Sequence, residues 1–316
     1  MLPPDFPAPV LMVLHIPHNA VSVMPEILRR AGTLPAVHAA SREPLRPGRI
    51  YVAPPDRHLI LTDSVVTAVF GPRENGHRPA IDPLFRSAAK VYGSRAIGVV
   101  LTGNLDDGTA GLLAIKKAGG TTIVQDPREA VHNGMPLSAI RAVDVDDVVI
   151  LDEIVPAILR ALSEDPPPGK AEMEEGSLDF ELSKATMDPN APIEQKVGEP
   201  SGFTCPECAG GLWEVIEGRH VRYRCRVGHA YSVDSLGAAY GSSVEAALWA
   251  ALRALEENAE FANRLAQRSE SMNYRNAKRR FTEQARIATE HAAKLRAILA
   301  SGPVLAETSE EVMAPE

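Results

Sequence analysis

The chain has 316 residues, enough for about two domains; 45% are hydrophobic, so an ordinary core can be buried, and only 5% are aromatic, so aliphatic and alanine packing must dominate. The formal net charge of -8 argues against nucleic acid as a partner, because neutralising phosphates needs a surplus of Lys and Arg. Three cysteines make a poor disulfide framework, no secretory leader opens the chain, and no apolar run reaches the ~20 residues of a membrane helix. The expectation is a protein of a reducing, cytoplasmic compartment with no membrane insertion.

Residues 1–165 alternate strands with helices. Residues 10–14 read as a buried strand, and residues 21–31 as a helix, with Val21, Met24, Ile27, Leu28 and Ala31 at helical spacing and Gly32 past the end. Pro47-Gly48 marks a turn before a strand at 49–53; residues 59–61 and 65–70 flank Thr62-Asp63-Ser64 as a hairpin. A helix at 82–91, a strand at 97–101, a helix at 110–118 closed by Gly119-Gly120, a strand at 121–124 and a helix at 154–162 complete the pattern. Strands and helices on short connections predict an α/β fold with a mainly parallel, doubly wound sheet.

Pro166-Pro167-Pro168-Gly169 breaks this pattern, and the polar stretch that follows predicts a flexible linker over 166–201. Residues 202–240 form a cysteine-bearing unit. Cys205 and Cys208 sit on one knuckle; Cys225 and His229 supply the other half of a tetrahedral set, which predicts a structural zinc in a two-stranded, zinc-ribbon-like module. Packed reduced cysteines or a redox pair are the alternatives. Residues 241–301 predict an αα-hairpin, the first helix starting at a capping box of Ser242 and Glu245, the turn near Asn273. Arg275, Lys278, Arg279, Arg280 and Arg286 make its second helix locally basic, as a solvated face or as a dock for an acidic partner. Residues 302–316 read as a disordered tail.

Ligands of a parallel sheet bind beyond the carboxyl ends of its strands. His15 follows the first predicted strand; Asp106 and Asp107 follow the strand at 97–101, so a base and an orienting carboxylate emerge on one rim. A carboxylate accepting the imidazole Nδ1–H would fix the tautomer. Leu14-His15-Ile16-Pro17, the run from Pro47 through Ala53 to Leu59, Asp82-Pro83-Leu84-Phe85, Asp107-Gly108-Thr109-Ala110-Gly111, Gln125-Asp126 and Gly134-Met135-Pro136 together resemble the catalytic domain of chemotaxis (CheB-type) protein-glutamate methylesterases, in order and spacing, over residues 5–162.

The resemblance implies hydrolysis of γ-glutamyl methyl esters, with glutamine deamidation in some members, by a Ser-His-Asp triad that needs no cofactor. It implies methylated chemoreceptor helices as substrate; for the basic second helix, a chemoreceptor bundle, a chemotaxis kinase or another signalling protein is the acidic partner to expect. His15 takes the place of the base and Asp107 that of its orienter, with Asp106 as the competing choice. His58 reads either as a residue near the cleft or as a surface histidine at a strand start; Gly134-Met135-Pro136 reads as a loop near the site or an ordinary turn. No Ser-x-Gly-Gly turn precedes His15, so the expectation is a sheet lacking its first strand and a site lacking its serine; Ser22, on a predicted helix, is a poor substitute. A fragment or mis-started enzyme, an inactive relative and completion by a separate chain all fit. No receiver domain precedes the esterase-like region, so phosphorylation control is not expected within this chain.

Overall fold

The computed structural model describes residues 1–17, 19–164, 182–183, 185–186 and 198–302, in two compact units, Met1–Leu236 and Gly237–Glu316. The first unit opens with β1 (Val10–Met12), α1 (Met24–Ala31), β2 (Ala36–His38), β3 (Glu43–Pro44), β4 (Ile50–Val52), β5 (His58–Thr62), β6 (Val65–Val69) and α2 (Ile81–Tyr92). It continues through β7 (Ile97–Val100), α3 (Thr109–Lys117), β8 (Thr121–Gln125), α4 (Gly134–Ala142), β9 (Asp147–Val149) and α5 (Leu151–Ser163). This is an α/β fold with parallel strands, as the alternating pattern predicts.

The hydrogen-bonded ladders are shorter than one continuous sheet. Strands β1-β4-β2 and β7-β8-β9 form two parallel sheets, and β3-β6-β5 form an antiparallel one. Strands β1 and β7 each end a ladder, with no hydrogen-bonded neighbour on their outer side among the described residues. Tyr51, Leu59, Leu61, Val66 and Leu84 pack one core cluster, and Val100, Leu112, Val124, Met135 and Ala139 another. The second cluster fixes the loops that leave β7 and β8, where the site lies.

Several expectations shift. Helix α1 begins at Met24, not at residue 21, with Pro25 in its first turn, where a missing N–H costs nothing. Ser22 therefore precedes the helix, and its carbonyl faces His38 Nε2 at 3.1 Å. Strands β2, β3 and β9 have at most three residues and carry His38, Glu43 and Asp147, too short and polar for an alternation to register. Gly134-Met135-Pro136 is the first turn of helix α4, not a loop; a proline this early in a helix is tolerated.

Most of the expected linker lies outside the described residues, but Leu182 and Ala185 within it are buried against Ile60. The cysteine-bearing unit is a four-stranded antiparallel sheet, not a two-stranded ribbon: β10 (Glu199–Thr204), β11 (Gly211–Glu217), β12 (His220–Cys225) and β13 (Ala230–Ser232). The boundary expected at residue 202 falls inside β10.

Strand β13 runs directly into helix α6 (Val233–Ser271). Its capping box is Ser232 with Ser235, not Ser242 with Glu245: Ser235 N–H donates to Ser232 Oγ at 3.1 Å and Ser232 N–H to Ser235 Oγ at 2.9 Å. Gly237 and Gly241 lower helix propensity after this start, which is why the periodic pattern begins later than the helix.

The second unit holds the greater part of α6 and helix α7 (Arg275–Ala300), joined at Asn273 with φ 59°. Ala259, Ala262 and Ala266 of α6 and Ala285, Ala288 and Ala292 of α7 are buried, and Gln284 Nε2 donates to Asn258 Oδ1 at 3.3 Å across the predicted hairpin. Lys278 pairs with Glu270, and Arg286 with Glu283 and Glu290, so the hairpin neutralises part of its own basic face. Among the described residues no helix is long and apolar enough to cross a membrane. The tail expected at 302–316 lies, beyond Gly302, outside the described residues.

Candidate active site

His15 leaves the carboxyl end of β1, and Asp107 lies between β7 and α3. The two meet, His15 Nε2 standing 2.6 Å from Asp107 Oδ2. The expected pair is formed and the two parallel ladders share one rim, but the nitrogen that faces the carboxylate is Nε2 and not Nδ1. Nδ1 is then the ring nitrogen turned away from Asp107. The histidine side chain is 23% exposed and the aspartate side chain 2%, which suits a group that meets substrate and one that does not.

Asp107 is held from four directions. Oδ2 also accepts Ile81 N–H at 2.7 Å, while Oδ1 accepts Asn75 Nδ2 at 3.1 Å and Asp82 N–H at 3.4 Å. The two backbone donors belong to the first turn of α2, where unpaired N–H groups and the helix dipole favour an anion. Burial alone would raise the Asp107 pKa. The His15 hydrogen bond and charge, the Ile81 N–H and the Asn75 amide outweigh it and hold the carboxyl at about 2.

Asp106 does not compete for this role. It is buried, its Oδ1 has no hydrogen-bond partner among the described residues, and burial pushes it up to about 7, the Ser232 hydroxyl offsetting part of the rise. Asp82 rises to about 7 through burial and the nearby Asp107 charge; its Oδ1 accepts Gly111 N–H at 2.7 Å.

These shifts predict a pH dependence of stability. A carboxyl raised on folding contributes stability that is full below about pH 4 and is lost as pH rises through about 7; Asp107, lowered, contributes above about pH 4 and loses that contribution as pH falls towards 2. Asp106→Asn cannot ionise, so its unfolding free energy should gain on the parent by on the order of 2 kcal/mol between pH 5.5 and pH 8. Urea unfolding at both pH values checks this; a gap that stays constant refutes the buried, neutral Asp106.

Two further histidines take roles the sequence left open or missed. His58 is neither at the surface nor in the cleft. It is fully buried, its Nδ1 accepts Ala80 N–H at 3.1 Å and its Nε2–H donates to Pro72 O at 2.9 Å, so it clamps the two ends of the loop that carries residues 73–79. Burial lowers its pKa and keeps it in this neutral tautomer. His77, on that loop, stacks on His15 with ring centroids 4.0 Å apart and planes 5° apart. Burial, then the neighbouring His15 charge, lowers the His77 pKa to about 4, so it packs as a neutral ring. Sequence reasoning passes over this loop; the polar run Arg73-Glu74-Asn75-Gly76-His77 between a strand and a helix is the one signal that could have marked it.

The rim is closed by residues 102–103 and 132–135. Gly103 N–H donates to His132 O and Met135 N–H to Gly103 O, both at 2.9 Å. A side chain at Gly103 would meet Met135 Sδ at 2.0 Å, and one at Gly134 the Leu105 nitrogen at 2.8 Å. At Gly134 the obstacle is backbone, so glycine is required there for close packing rather than for a positive φ; at Gly103 it is the Met135 side chain, which would have to move.

In the cysteine-bearing sheet, Cys205, Cys208, Cys225 and His229 present ligand atoms that all lie within 4.8 Å of one another, a group able to hold a metal ion. Cys208 Sγ is 3.7 Å from Cys225 Sγ, and His229 Nδ1 is 3.7 Å from Cys205 Sγ and 3.5 Å from Cys225 Sγ. His229 Nε2 faces Glu207 Oε2 at 3.8 Å, and Glu207 faces Arg73 at 3.6 Å. Burial raises the Cys205 thiol and pushes Cys225 up to about 12, a preference for the neutral form that a divalent cation reverses.

Residues 1–158 match the family model described as CheB methylesterase. A protein-glutamate methylesterase/protein-glutamine glutaminase of Anaeromyxobacter dehalogenans is 42% identical over 162 residues, 51% of this chain and 47% of that protein. A putative protein of the same description from Leptospira interrogans is 39% identical over 160 residues, 50% of this chain and 83% of that protein. The crystal structure of the Thermotoga maritima CheB methylesterase catalytic domain is similar at 34% identity, covering 50% of this chain and 86% of that one with a TM-score of 0.48. The chain thus spans about half the length of the first of these relatives and most of the second.

Proposed function

Because the chain belongs to the CheB methylesterase family, we propose that residues 1–165 are the acid–base half of a protein-glutamate methylesterase acting on methylated chemoreceptor helices in the cytoplasm. The observation that carries this is the 2.6 Å contact between His15 and a buried, ionised Asp107 at the carboxyl rim. Asp107 fixes the proton on His15 Nε2, so Nδ1 is free to accept one. A hydroxyl, supplied from outside the residues described, attacks the ester carbonyl and gives its proton to Nδ1. The imidazolium, stabilised by Asp107, returns that proton to the departing methanol; water then opens the acyl intermediate by the same route to leave glutamate.

The cysteine-bearing sheet is read as a structural zinc module. Three of the six separations between its ligand atoms are 3.5–3.7 Å, the edge length of a tetrahedron with Zn–S bonds of about 2.3 Å and Zn–N bonds of about 2.0–2.1 Å, and all six lie within 4.8 Å. Four protein ligands leave no position for substrate, so the metal's contribution is to hold the sheet, with the Glu207 carboxylate 3.8 Å from the second nitrogen of His229.

The test is methanol release from methylated receptor membranes by the full-length natural gene product. Turnover that His15→Ala abolishes is the expected result. A folded protein of that length with no turnover above the His15→Ala control overturns the reading in favour of a silent, receptor-binding relative, which captures receptors without hydrolysing them.

A further inference from the structure

Residues 73–77 lie between the catalytic pair and the metal-binding sheet and touch both. Arg73 O accepts Ala230 N–H at 3.3 Å, and Asn75 N–H donates to Ala230 O at 2.8 Å, so this strap pairs with the start of β13. Glu74 is buried against Arg86 of α2 and Arg224 of β12. At the end of the strap His77 stacks on His15.

Asn75 is the junction. Its Nδ2 donates to Asp107 Oδ1 at 3.1 Å and to Asp82 Oδ2 at 3.0 Å. Its Oδ1 accepts Ser232 N–H and Ser235 Oγ–H, both at 3.1 Å. Two donors and two acceptor sites are all used. The orientation is fixed chemically, since the flipped amide would aim its oxygen at two carboxyl groups. The backbone sits at φ 52°, a left-handed conformation that asparagine tolerates better than most residues.

The partners on the far side are the capping box of α6. Ser232 is the last residue of β13 and lies three residues after the ligand His229; Cys225 and His229 close one turn, Cys225 N–H donating to His229 O at 2.9 Å. A metal that binds both of these side chains fixes that turn, the turn sets β13, and β13 sets the capping box that grips Asn75.

We propose that Asn75 is a positioning residue for the reaction, and that the metal-loaded sheet, through the Ser232–Ser235 capping box and Asn75, holds Asp107 against His15. The cysteine module is then part of the wall of the active site rather than an independent appendage, and metal occupancy sets the order of the catalytic pair. This rests on the reading of His15 and Asp107 as that pair, which the methanol assay tests separately.

The experiment follows the His15 ring N–H by NMR in the full chain labelled with 15N-histidine, with zinc content measured in every sample. In the zinc-loaded parent the Asp107-bound proton gives a downfield, slowly exchanging resonance. Chelation of zinc, Asn75→Ala, and the zinc-loaded Ser232→Ala/Ser235→Ala double variant should each speed its exchange about tenfold or more, while the amides of β8 keep their protection. Ser235→Thr, which retains a hydroxyl, should restore slow exchange. If chelation also exposes β8, it has unfolded the unit, and the two zinc-loaded variants decide. A chain that takes up no zinc overturns the metal's part; an unchanged His15 resonance in both variants overturns the coupling.

Discussion

Asp107→Asn should lower ester hydrolysis by about 10³–10⁴-fold in kcat with little change in KM, measured in the protein that turns over methylated receptors. The carboxylate offers two acceptor oxygens: one takes His15 Nε2–H and Ile81 N–H, the other the Asn75 amide and Asp82 N–H. An asparagine has one oxygen, and its NH₂ must replace the other. Keeping the oxygen towards Asn75 and Asp82 points the NH₂ at His15, whose Nε2 must then accept, so the proton moves to Nδ1. The nitrogen that should take the nucleophile's proton already carries one. Turning the amide round restores the His15 bond but sets NH₂ against NH₂ at Asn75. The pH profile separates this from lost stability, since a wrong tautomer lowers the plateau rate and a partly unfolded protein lowers the active fraction. Asp106→Asn should keep turnover within an order of magnitude, because Asp106 does not touch His15. Equal losses at both positions would refute the assignment.

The sequence made this pair legible because each member follows a strand that an apolar run marks plainly, and because the surrounding motifs are ordered as in the family. What supports the pair was hidden for physical reasons. Asn75 and His77 lie on a polar loop without periodicity, where only the fold decides which side chains turn inward. His58 carried a polar label into a fully buried position, since two backbone partners satisfy both ring nitrogens. The capping box escapes sequence reading because Ser232-x-x-Ser235 lacks the Glu or Gln usual at the third helical position and two glycines follow it. The clustering of Cys205, Cys208, Cys225 and His229 was readable from spacing alone; that their sheet borders the His15–Asp107 pair was not, because the contacts join residues 73–75 to residues 224–235 across the chain.

Glu74→Ala should be the most destabilising single substitution in the first unit, by about 3–5 kcal/mol. Glu74 is 2% exposed and receives Arg86 Nη2 at 2.7 and 2.6 Å on its two oxygens and Arg224 Nη2 at 3.4 Å. Removing the carboxylate takes away the buried negative charge that both Arg86 and Arg224 contact, and the loss falls on α2 and β12 at once. Arg224→Met should cost less, since it removes one charge and leaves Arg86 Nη2 on both Glu74 oxygens, with a shorter apolar side chain filling part of the space. Urea denaturation gives both values. Limited proteolysis locates the loss: both variants remove the Glu74–Arg224 contact and keep the pairing of Asn75 with Ala230, so the sheet of β10–β13 should be cut to a similar extent in both, while α2, which Arg86 ties to Glu74, should loosen only with Glu74→Ala. A Glu74→Ala protein within 1 kcal/mol of the parent would mean that this buried cluster does not join the two parts of the unit.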